Sequence, residues 1–173
     1  MSLSMAAPAF RSRGLEPFQR ELIEDVVTLL LTGRGADVKA VIERWMAEIA
    51  ARRVPLRRLA RTETLQDTPE AYRARVAAGE RHASAAYEVA LASKRPWQPG
   101  DQVSYYVAGR GADAVIAERA KLLASWDPSR PDENVEYYQA KVWEIWQRFR
   151  PFAEHEGLRP PADDTVPAQL SLF

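Results

Sequence analysis

Apolar residues recur at helical spacing near the start of the chain. Over residues 15–32 they return every three or four positions, and Pro17 suits the first turn of a helix there. A second apolar stripe covers residues 38–49 and contains Trp45, with Asp37 as the expected N-cap. Glycines between the two stripes end the first helix. The pattern predicts two helices that form an antiparallel pair.

The middle of the chain alternates between short strand patterns and short helices. Residues 59–65 and 101–107 combine threonine, valine, leucine and tyrosine in loose alternation, which predicts two short strands. Thr68 precedes a short helix that Gly79 ends, and an alanine-rich helix is expected over residues 83–93. This segment therefore mixes strands with helices.

The longest apolar stripe lies in the last third of the chain. Asn134 is expected to cap this helix, and Trp143 and Trp146 are expected to widen its buried face. The stripe itself consists of Tyr138, Val142, Ile145, Phe149 and Phe152. From residue 157 the periodicity disappears and prolines accumulate, which predicts a flexible tail over residues 157–173.

These elements predict an α+β fold that is mostly α, with a few short β-strands. We expect one domain over residues 14–156. Residues 1–13 have little pattern and are interpreted as a disordered leader. A leader in front of a helix-rich remainder suggests a piece of a longer protein.

Composition excludes several classes of protein. The chain has 173 residues, 46% of them hydrophobic and 28% charged, which is typical of a globular domain rather than of a disordered chain. Cysteine is absent, so a disulfide, a thiolate zinc site and a cysteine nucleophile are impossible. No apolar run is long enough for a membrane span, and no signal peptide is recognisable. We expect a cytoplasmic protein.

Charge is unevenly distributed along a chain whose net charge is zero. Residues 39–95 contain twelve Lys and Arg against seven Asp and Glu, whereas residues 131–164 contain four against eight. Five arginines fall within ten positions: Arg52, Arg53, Arg57, Arg58 and Arg61. They are either a solvated helix end, favoured by the helix dipole, or an edge that contacts phosphates through guanidinium groups.

Catalytic and metal-binding patterns are weak. Glu154, His155 and Glu156 form an acidic cluster around a histidine, but residues two apart on a helix do not face each other. The sequence contains no glycine-rich phosphate loop and no nucleophile elbow. We therefore expect no catalytic residue and no metal site in this chain.

Several segments occur in an order that identifies a possible family. They are LARTETL at residues 59–65, PEAY at 69–72, HASAAY at 82–87, PGDQVSYYV at 99–107, AERA at 117–120 and VEYY at 135–138, before RPF at 150–152. In this order they resemble the thumb, the C-terminal part of family B DNA polymerases. The C-terminus makes the bacterial DNA polymerase II type the most similar subgroup.

The resemblance implies a helical thumb-like domain that grips primer–template duplex through its phosphates. The phosphate contacts that it implies are Arg61, Thr62, Arg81 and His82, with Arg57, Arg58 and Tyr105 behind them. For His82 the alternative is a helix-capping or core histidine. The family's metal-binding aspartates and exonuclease motifs are absent from this chain. Nucleotidyl transfer with Mg²⁺ therefore belongs to the palm of a parent polymerase, and palm, fingers and exonuclease domains are implied partners.

The last five residues, QLSLF, look like the motif by which bacterial polymerases hold the β sliding clamp. The amide of Gln169 supplies a hydrogen-bond donor and an acceptor. Leu170, Leu172 and Phe173 supply the few buried anchors on which such contacts depend. A tail over residues 157–173 gives this motif reach, which raises its effective concentration at the clamp.

Two other interpretations remain open. The first is a free-standing, non-enzymatic adaptor that binds the clamp or DNA, and it differs from a polymerase thumb in having no palm encoded upstream of Leu15. The second is a helical protein-interaction domain without a DNA contact, which requires the arginines to be paired.

Overall fold

A computed structural model describes residues 15–154 of the chain. These residues divide into two compact units. The first contains the chain up to Arg53 and again from Gln139, and the second is Val54–Tyr138. The predicted α+β fold, mostly α, is confirmed, since helices dominate and the strands form one small antiparallel sheet. No helix within residues 15–154 is long and apolar enough to cross a membrane.

The first unit is helical. Its elements are α1 (Pro17–Leu31), α2 (Val38–Ala50) and the greater part of a long helix that closes the described chain, Val135–Glu154. Phe18, in the first turn of α1, lies with its ring centroid 5.5 Å from that of Trp45, in the second half of α2. The two helices therefore run antiparallel, as predicted.

The N-terminal end of α2 differs from the prediction. The Asp37 side chain forms no capping hydrogen bond. A 3-10 turn, Gly35–Asp37, leads directly into the helix, and Asp37 forms an ion pair with Arg34, at 2.8 Å from Oδ2 to Nε. The predicted cap is wrong because Asp37 already has a helical backbone, with φ −85° and ψ −10°, instead of the extended conformation of an N-cap.

The long C-terminal helix buries most of its predicted stripe. Val142, Ile145, Phe149 and Trp146 are almost fully buried. Trp143, which was predicted to widen the buried face, is 45% exposed. That prediction is wrong because Trp143 follows Val142 directly, which places it about 100° around the helix from Val142 and roughly 140° from the centre of the stripe.

The second unit contains three antiparallel strands in the order β1 (Arg61–Thr64), β2 (Gln102–Val107) and β3 (Ala120–Leu122). β2 lies in the centre, with Arg61 opposite Tyr105 on one side and Leu122 opposite Tyr105 on the other. β3 was not predicted, because three residues are too few to show a periodicity. It follows directly on a short helix, Ile116–Arg119.

The first predicted strand is shorter than expected. Leu56–Leu59 forms a helical turn, α3, and only Arg61–Thr64 pairs with β2. Pro55 precedes this turn, and Leu56 and Leu59 are both buried. Because residues three apart lie on the same side of a helix, the turn buries both leucines at once.

Two further helices complete the second unit. α4 (Pro69–Ala77) begins after Thr68 as predicted, and Thr68 also caps it, since its Oγ1 accepts a hydrogen bond from the Ala71 amide at 3.2 Å. Gly79 follows α4 with a φ of +73°, a conformation that favours glycine. α5 (Ala85–Ala92) turns Ala85, Ala86, Val89 and Ala90 into an apolar core. The large residues of that core are Leu65, Tyr72, Tyr87, Val103 and Tyr105.

Asn134 caps the long C-terminal helix as predicted. Its Oδ1 accepts a hydrogen bond from the Tyr137 amide at 2.9 Å, and its Nδ2 donates to the Gly111 carbonyl at 3.0 Å. Asn134 is fully buried. Since the oxygen and the nitrogen of its side-chain amide both form hydrogen bonds, Asn134 caps the helix and also holds the preceding loop in place.

Candidate nucleic-acid interface

All residues that the resemblance assigns to DNA lie in the second unit. They occupy α3 (Arg57, Arg58), β1 (Arg61, Thr62), the connection between α4 and α5 (Arg81, His82) and β2 (Tyr105). The structure therefore brings them into one unit but gives them different surroundings.

Arg57 is the most accessible arginine of α3. Its side chain is exposed and forms no ion pair with any residue in the range 15–154. Arg58 and Arg61 are only partly exposed, and both have interactions with the rest of the chain. Arg57 is therefore the member of the arginine run whose guanidinium is most available for a phosphate.

A row of polar side chains covers one face of the sheet. Thr62 lies opposite Ser104, and Thr64 lies opposite Gln102. The two hydroxyl oxygens of Thr62 and Ser104 are 2.7 Å apart, so one hydroxyl donates to the other. Because side chains alternate between the faces of a strand, these four residues share one face, and three of them are exposed and Ser104 partly so. We call this the polar sheet face.

Arg61 and Tyr105 lie on the opposite face. Tyr105 is 2% exposed and packs in the core of the second unit. Its hydroxyl donates a hydrogen bond to Glu63. Tyr105 thus has almost no surface that a phosphate can reach, and we leave it out of the interface. Strand alternation would have indicated this, since Tyr105 is two residues from the buried Val103.

Arg81 is held by aromatic rings. Its guanidinium carbon lies 4.9 Å from the ring centroid of Tyr72 and 4.7 Å from that of Tyr87. The two rings stack at 4.4 Å, and Arg81 Nη1 lies 3.4 Å from Asp67 Oδ2. These contacts occupy both the face and one edge of the guanidinium, so Arg81 has a structural role in the second unit.

The tyrosines beneath Arg81 are fixed by hydrogen bonds. Tyr72 donates to Glu88 Oε2, and its hydroxyl oxygen accepts from the Ser84 amide at 3.1 Å. Burial, followed by the hydrogen bond to Glu88, raises the pKa of Tyr72 above its usual value. The Tyr87 hydroxyl accepts from the amides of Gln66 and Asp67 at 2.8 and 2.9 Å. This cluster orders the connections on both sides of α4.

His82 follows Arg81 and is exposed. It forms no hydrogen bond or ion pair with another residue of the described range. It is therefore not a core histidine, and its imidazole is available to a ligand. The neighbouring Arg81 cluster fixes the backbone from which it projects.

Lys121 was not predicted as a site residue. It lies on β3 opposite Tyr106, and its Nζ is 2.5 Å from Asp132 Oδ2. The Tyr106 hydroxyl donates to the other oxygen of Asp132 at 2.7 Å. Burial tends to raise the pKa of Asp132, but the hydrogen bonds from Lys121 and Tyr106 outweigh it and lower that pKa. Asp132 therefore neutralises Lys121 at the β3 end of the sheet.

The remaining predicted sites cannot be placed. Gln169, Leu170, Leu172 and Phe173 lie outside the described residues, as do His155 and Glu156 of the acidic cluster. Within residues 15–154, no group of histidine, aspartate and glutamate side chains is arranged to hold a metal ion.

No family model matches the chain, and no curated protein matches it.

Proposed function

We propose that the chain is the thumb module of a family B DNA polymerase of the bacterial polymerase II type. It holds primer–template duplex by the phosphate backbone and contacts the β sliding clamp through QLSLF. The observation that carries the DNA contact is Arg57, an exposed arginine without an ion pair among residues 15–154, on the turn that leads into the polar sheet face. The ordered segments that resemble the family support the rest.

The chemistry of these residues favours phosphate over base edges. A guanidinium, an imidazole and hydroxyl groups all donate hydrogen bonds to phosphate oxygens, and contacts of this kind carry no sequence information. Reading bases in the major groove requires a helix or β-ribbon that enters it. Arg57 instead lies on a four-residue turn, and the hydroxyls lie on a sheet face. The proposed contact is therefore independent of DNA sequence.

The strength of the contact follows from charge. The net charge of the chain is zero, so attraction to DNA depends on a local surface. Few phosphates are neutralised by such a surface, and we expect affinity in the non-specific range of roughly 10⁻⁴ to 10⁻⁶ M. Tighter binding belongs to the parent polymerase, where palm and fingers complete the grip.

Catalysis is assigned to the parent polymerase. Nucleotidyl transfer in the family requires metal-bound aspartates in the palm, and residues 15–154 offer no group that fits a metal ion. The proposed role of this chain does not include the catalytic step. Its role is to position the duplex and, through the tail, to keep the polymerase on the clamp.

The DNA contact is tested by binding a fluorescein-labelled duplex over a series of salt concentrations. Arg57→Ala should lower the slope of log K against log[salt] by about 0.9, because one phosphate contact is lost. Arg34→Ala is the matched control, since Arg34 is exposed but pairs with Asp37 in the first unit. An unchanged slope for Arg57→Ala would remove this residue from the interface.

The polymerase assignment is tested separately on the native gene. A palm with the family's metal-binding aspartates, encoded in frame upstream of Leu15, is expected. An open reading frame that starts immediately before Leu15 would instead favour the free-standing adaptor, which uses the same DNA and clamp contacts without catalysis.

A further inference from the structure

We propose that the polar sheet face and Arg95 form a second site for the nucleic-acid backbone, separate from Arg57. This inference rests on the proposed DNA contact, and it adds Thr64, Gln102, Ser104 and Arg95, none of which the family resemblance assigns, to the Thr62 contact that it does assign. The ligand is the phosphate backbone of a duplex, held by neutral hydroxyl and amide donors together with one cation.

The proposed site lies along the part of β2 that does not pair with β3. β3 pairs with β2 only from Tyr105 to Val107. The first half of β2, Gln102 to Ser104, therefore has β1 on one side and no strand from residues 15–154 on the other. After Leu122 the chain leaves the sheet through a 3-10 turn, Leu123–Ser125. An open strip of the sheet remains beside Gln102 and Ser104.

A cavity of about 550 Å³ lies beside this open strip, entirely within the second unit. Gln102 and Ser104 form part of its wall from β2. Arg95 and Trp97, which follow α5, form another part. Trp97 is fixed, because its Nε1 donates to the Asp67 carbonyl at 2.9 Å. The polar sheet face thus continues into a recess that also contains an arginine.

The charges around the recess favour an anion. Arg95 and the preceding Lys94 are exposed, and neither forms an ion pair with any residue from 15 to 154. One acid, Asp101, also lines the recess, and its Oδ2 accepts a hydrogen bond from the Gln98 amide at 3.0 Å. Arg95 is therefore an uncompensated cation in the wall of the recess, where the one carboxylate is already hydrogen-bonded, and Lys94 adds a positive charge next to Arg95 in the sequence.

The neutral groups also suit phosphate. In the Thr62–Ser104 pair one hydroxyl donates to the other, so the proton of the second hydroxyl is left for a ligand. The Gln102 amide adds two donors. Phosphodiester oxygens accept hydrogen bonds and donate none, so a row of donors beside an arginine matches their chemistry.

The length of the polar face fits more than one phosphate. Residues two apart on a strand are about 7 Å apart, so the Thr62–Ser104 pair and the Thr64–Gln102 pair have this separation. Duplex DNA presents one phosphate per roughly 3.4 Å of axis on each strand. The two pairs can therefore contact different phosphates of one strand, which a free phosphate ion cannot exploit.

The test separates neutral contacts from charged ones. In salt titrations with the labelled duplex, the double variant Thr62→Val with Ser104→Ala should bind about five- to tenfold more weakly at every salt concentration, with an unchanged slope, because hydrogen bonds are lost without a charge. Arg95→Ala should lower the slope by about 0.9. Thr62→Ser keeps the hydroxyl and should bind like the wild type, and thermal unfolding verifies that each variant is folded.

Arg73→Ala is the matched control for Arg95→Ala. Arg73 is an exposed arginine of α4 that forms no ion pair among residues 15–154 and does not line the recess. Its loss should leave the slope unchanged. Equal slopes for the two variants would mean that DNA responds to diffuse charge, and would overturn the site.

Failure of this inference can be told from failure of the proposed function. If the wild type binds no duplex at any salt concentration, both the proposed DNA contact and the second site are wrong. If it binds, and Arg57→Ala lowers the slope while the Thr62, Ser104 and Arg95 variants behave like the wild type, only the second site is overturned. That outcome would leave the open half of β2 as a place for an added peptide strand.

Discussion

The arginines of the second unit, and Arg53 just before it, differ in what they contact. Arg53 forms an ion pair with Glu48, at 2.5 Å between Nε and Oε2, within the first unit. Arg81 packs on two tyrosine rings. Arg57 and Arg95 have no ion pair among the described residues. These four arginines therefore do not form one functional surface, and they should affect stability and binding separately.

Arg81 should matter for stability. Arg81→Ala is expected to lower the free energy of unfolding by about 1–2 kcal/mol, because it removes a cation–π contact and the packing of the side chain on both rings. Urea denaturation measures this change. Arg57→Ala should stay within about 0.5 kcal/mol of the wild type, since Arg57 is an exposed surface residue.

Lysine at position 81 is a useful comparison, because it keeps the charge but lacks the planar group that stacks on the rings. Arg81→Lys should recover only part of the stability. If Arg81→Ala were as stable as the wild type but had a lower salt slope in DNA binding, Arg81 would belong to the DNA interface after all.

At the scale of elements, the central strand β2 organises the second unit. One of its faces carries Gln102 and Ser104, and the other carries Val103 and Tyr105 in the core. Its last residues pair with β3, where the Tyr106, Lys121 and Asp132 side chains connect the two strands to the loop before the long helix. The loop is therefore anchored to the sheet by a charged hydrogen-bond network.

Because of this network, the free energy of unfolding should fall as the pH is lowered into the acid range. Because the folded-state pKa of Asp132 is lowered, its stabilising effect is fully present above the unfolded pKa, near 3.9, and is lost as the pH falls through the folded pKa. Asp132→Asn should be about 1 kcal/mol less stable than the wild type at pH 7, given that Asp132 is partly exposed.

The difference between wild type and Asp132→Asn should narrow below about pH 4, as measured by urea denaturation over a pH series. Asp113→Asn is the control, because Asp113 is exposed and its side chain forms no hydrogen bond or ion pair with another residue of the described chain. A constant difference for Asp132→Asn at all pH values would show that the carboxylate charge is not what stabilises the loop.

At the scale of the whole molecule, the proposed contacts fall in different parts of the chain. Every candidate DNA residue is in the second unit, Val54–Tyr138. The clamp motif is in the last five residues, outside the described range. Changes to the motif and changes to the DNA residues should therefore have separate effects.

Removal of the last five residues tests the clamp contact. Titration of fluorescent β clamp with the intact chain should show binding in the micromolar range, and the truncated chain should not bind, because the buried anchors Leu170, Leu172 and Phe173 are gone. Ser171→Ala is the control and should bind like the intact chain. Equal clamp binding by intact and truncated chains would exclude the motif as the contact.

Much of the fold can be predicted from local pattern. The helices at residues 17–31, 38–50 and 135–154 each bury one stripe, and burial of a stripe repeats at the helical period whatever the helix packs against. β2 could be predicted from its β-branched and aromatic residues between turn signals. The caps Thr68 and Asn134 could be predicted because a cap bonds to a residue only three positions away.

The candidate site could be predicted only in part. Of the phosphate contacts that the resemblance implies, Arg57, Thr62 and His82 are exposed and stay predictions. The resemblance also included Tyr105, which is buried, and Arg81, which is held by tyrosine rings. The sequence did not indicate Ser104, which lies opposite Thr62, or the nearby Gln102, because the register between two strands cannot be read from the sequence of one of them.

The sequence by itself therefore determined the helical stripes, the central strand, the Asn134 cap and the types of residue available for a phosphate. Only the tertiary structure decided which of those residues are accessible. Thr62 reaches Ser104, and Tyr105 reaches Glu63, across 42 positions of sequence. β3 likewise depends on a distant partner, because its three residues form a strand only by pairing with β2. Local periodicity reports which side of an element is buried, whereas availability to a ligand depends on partners that are distant along the chain.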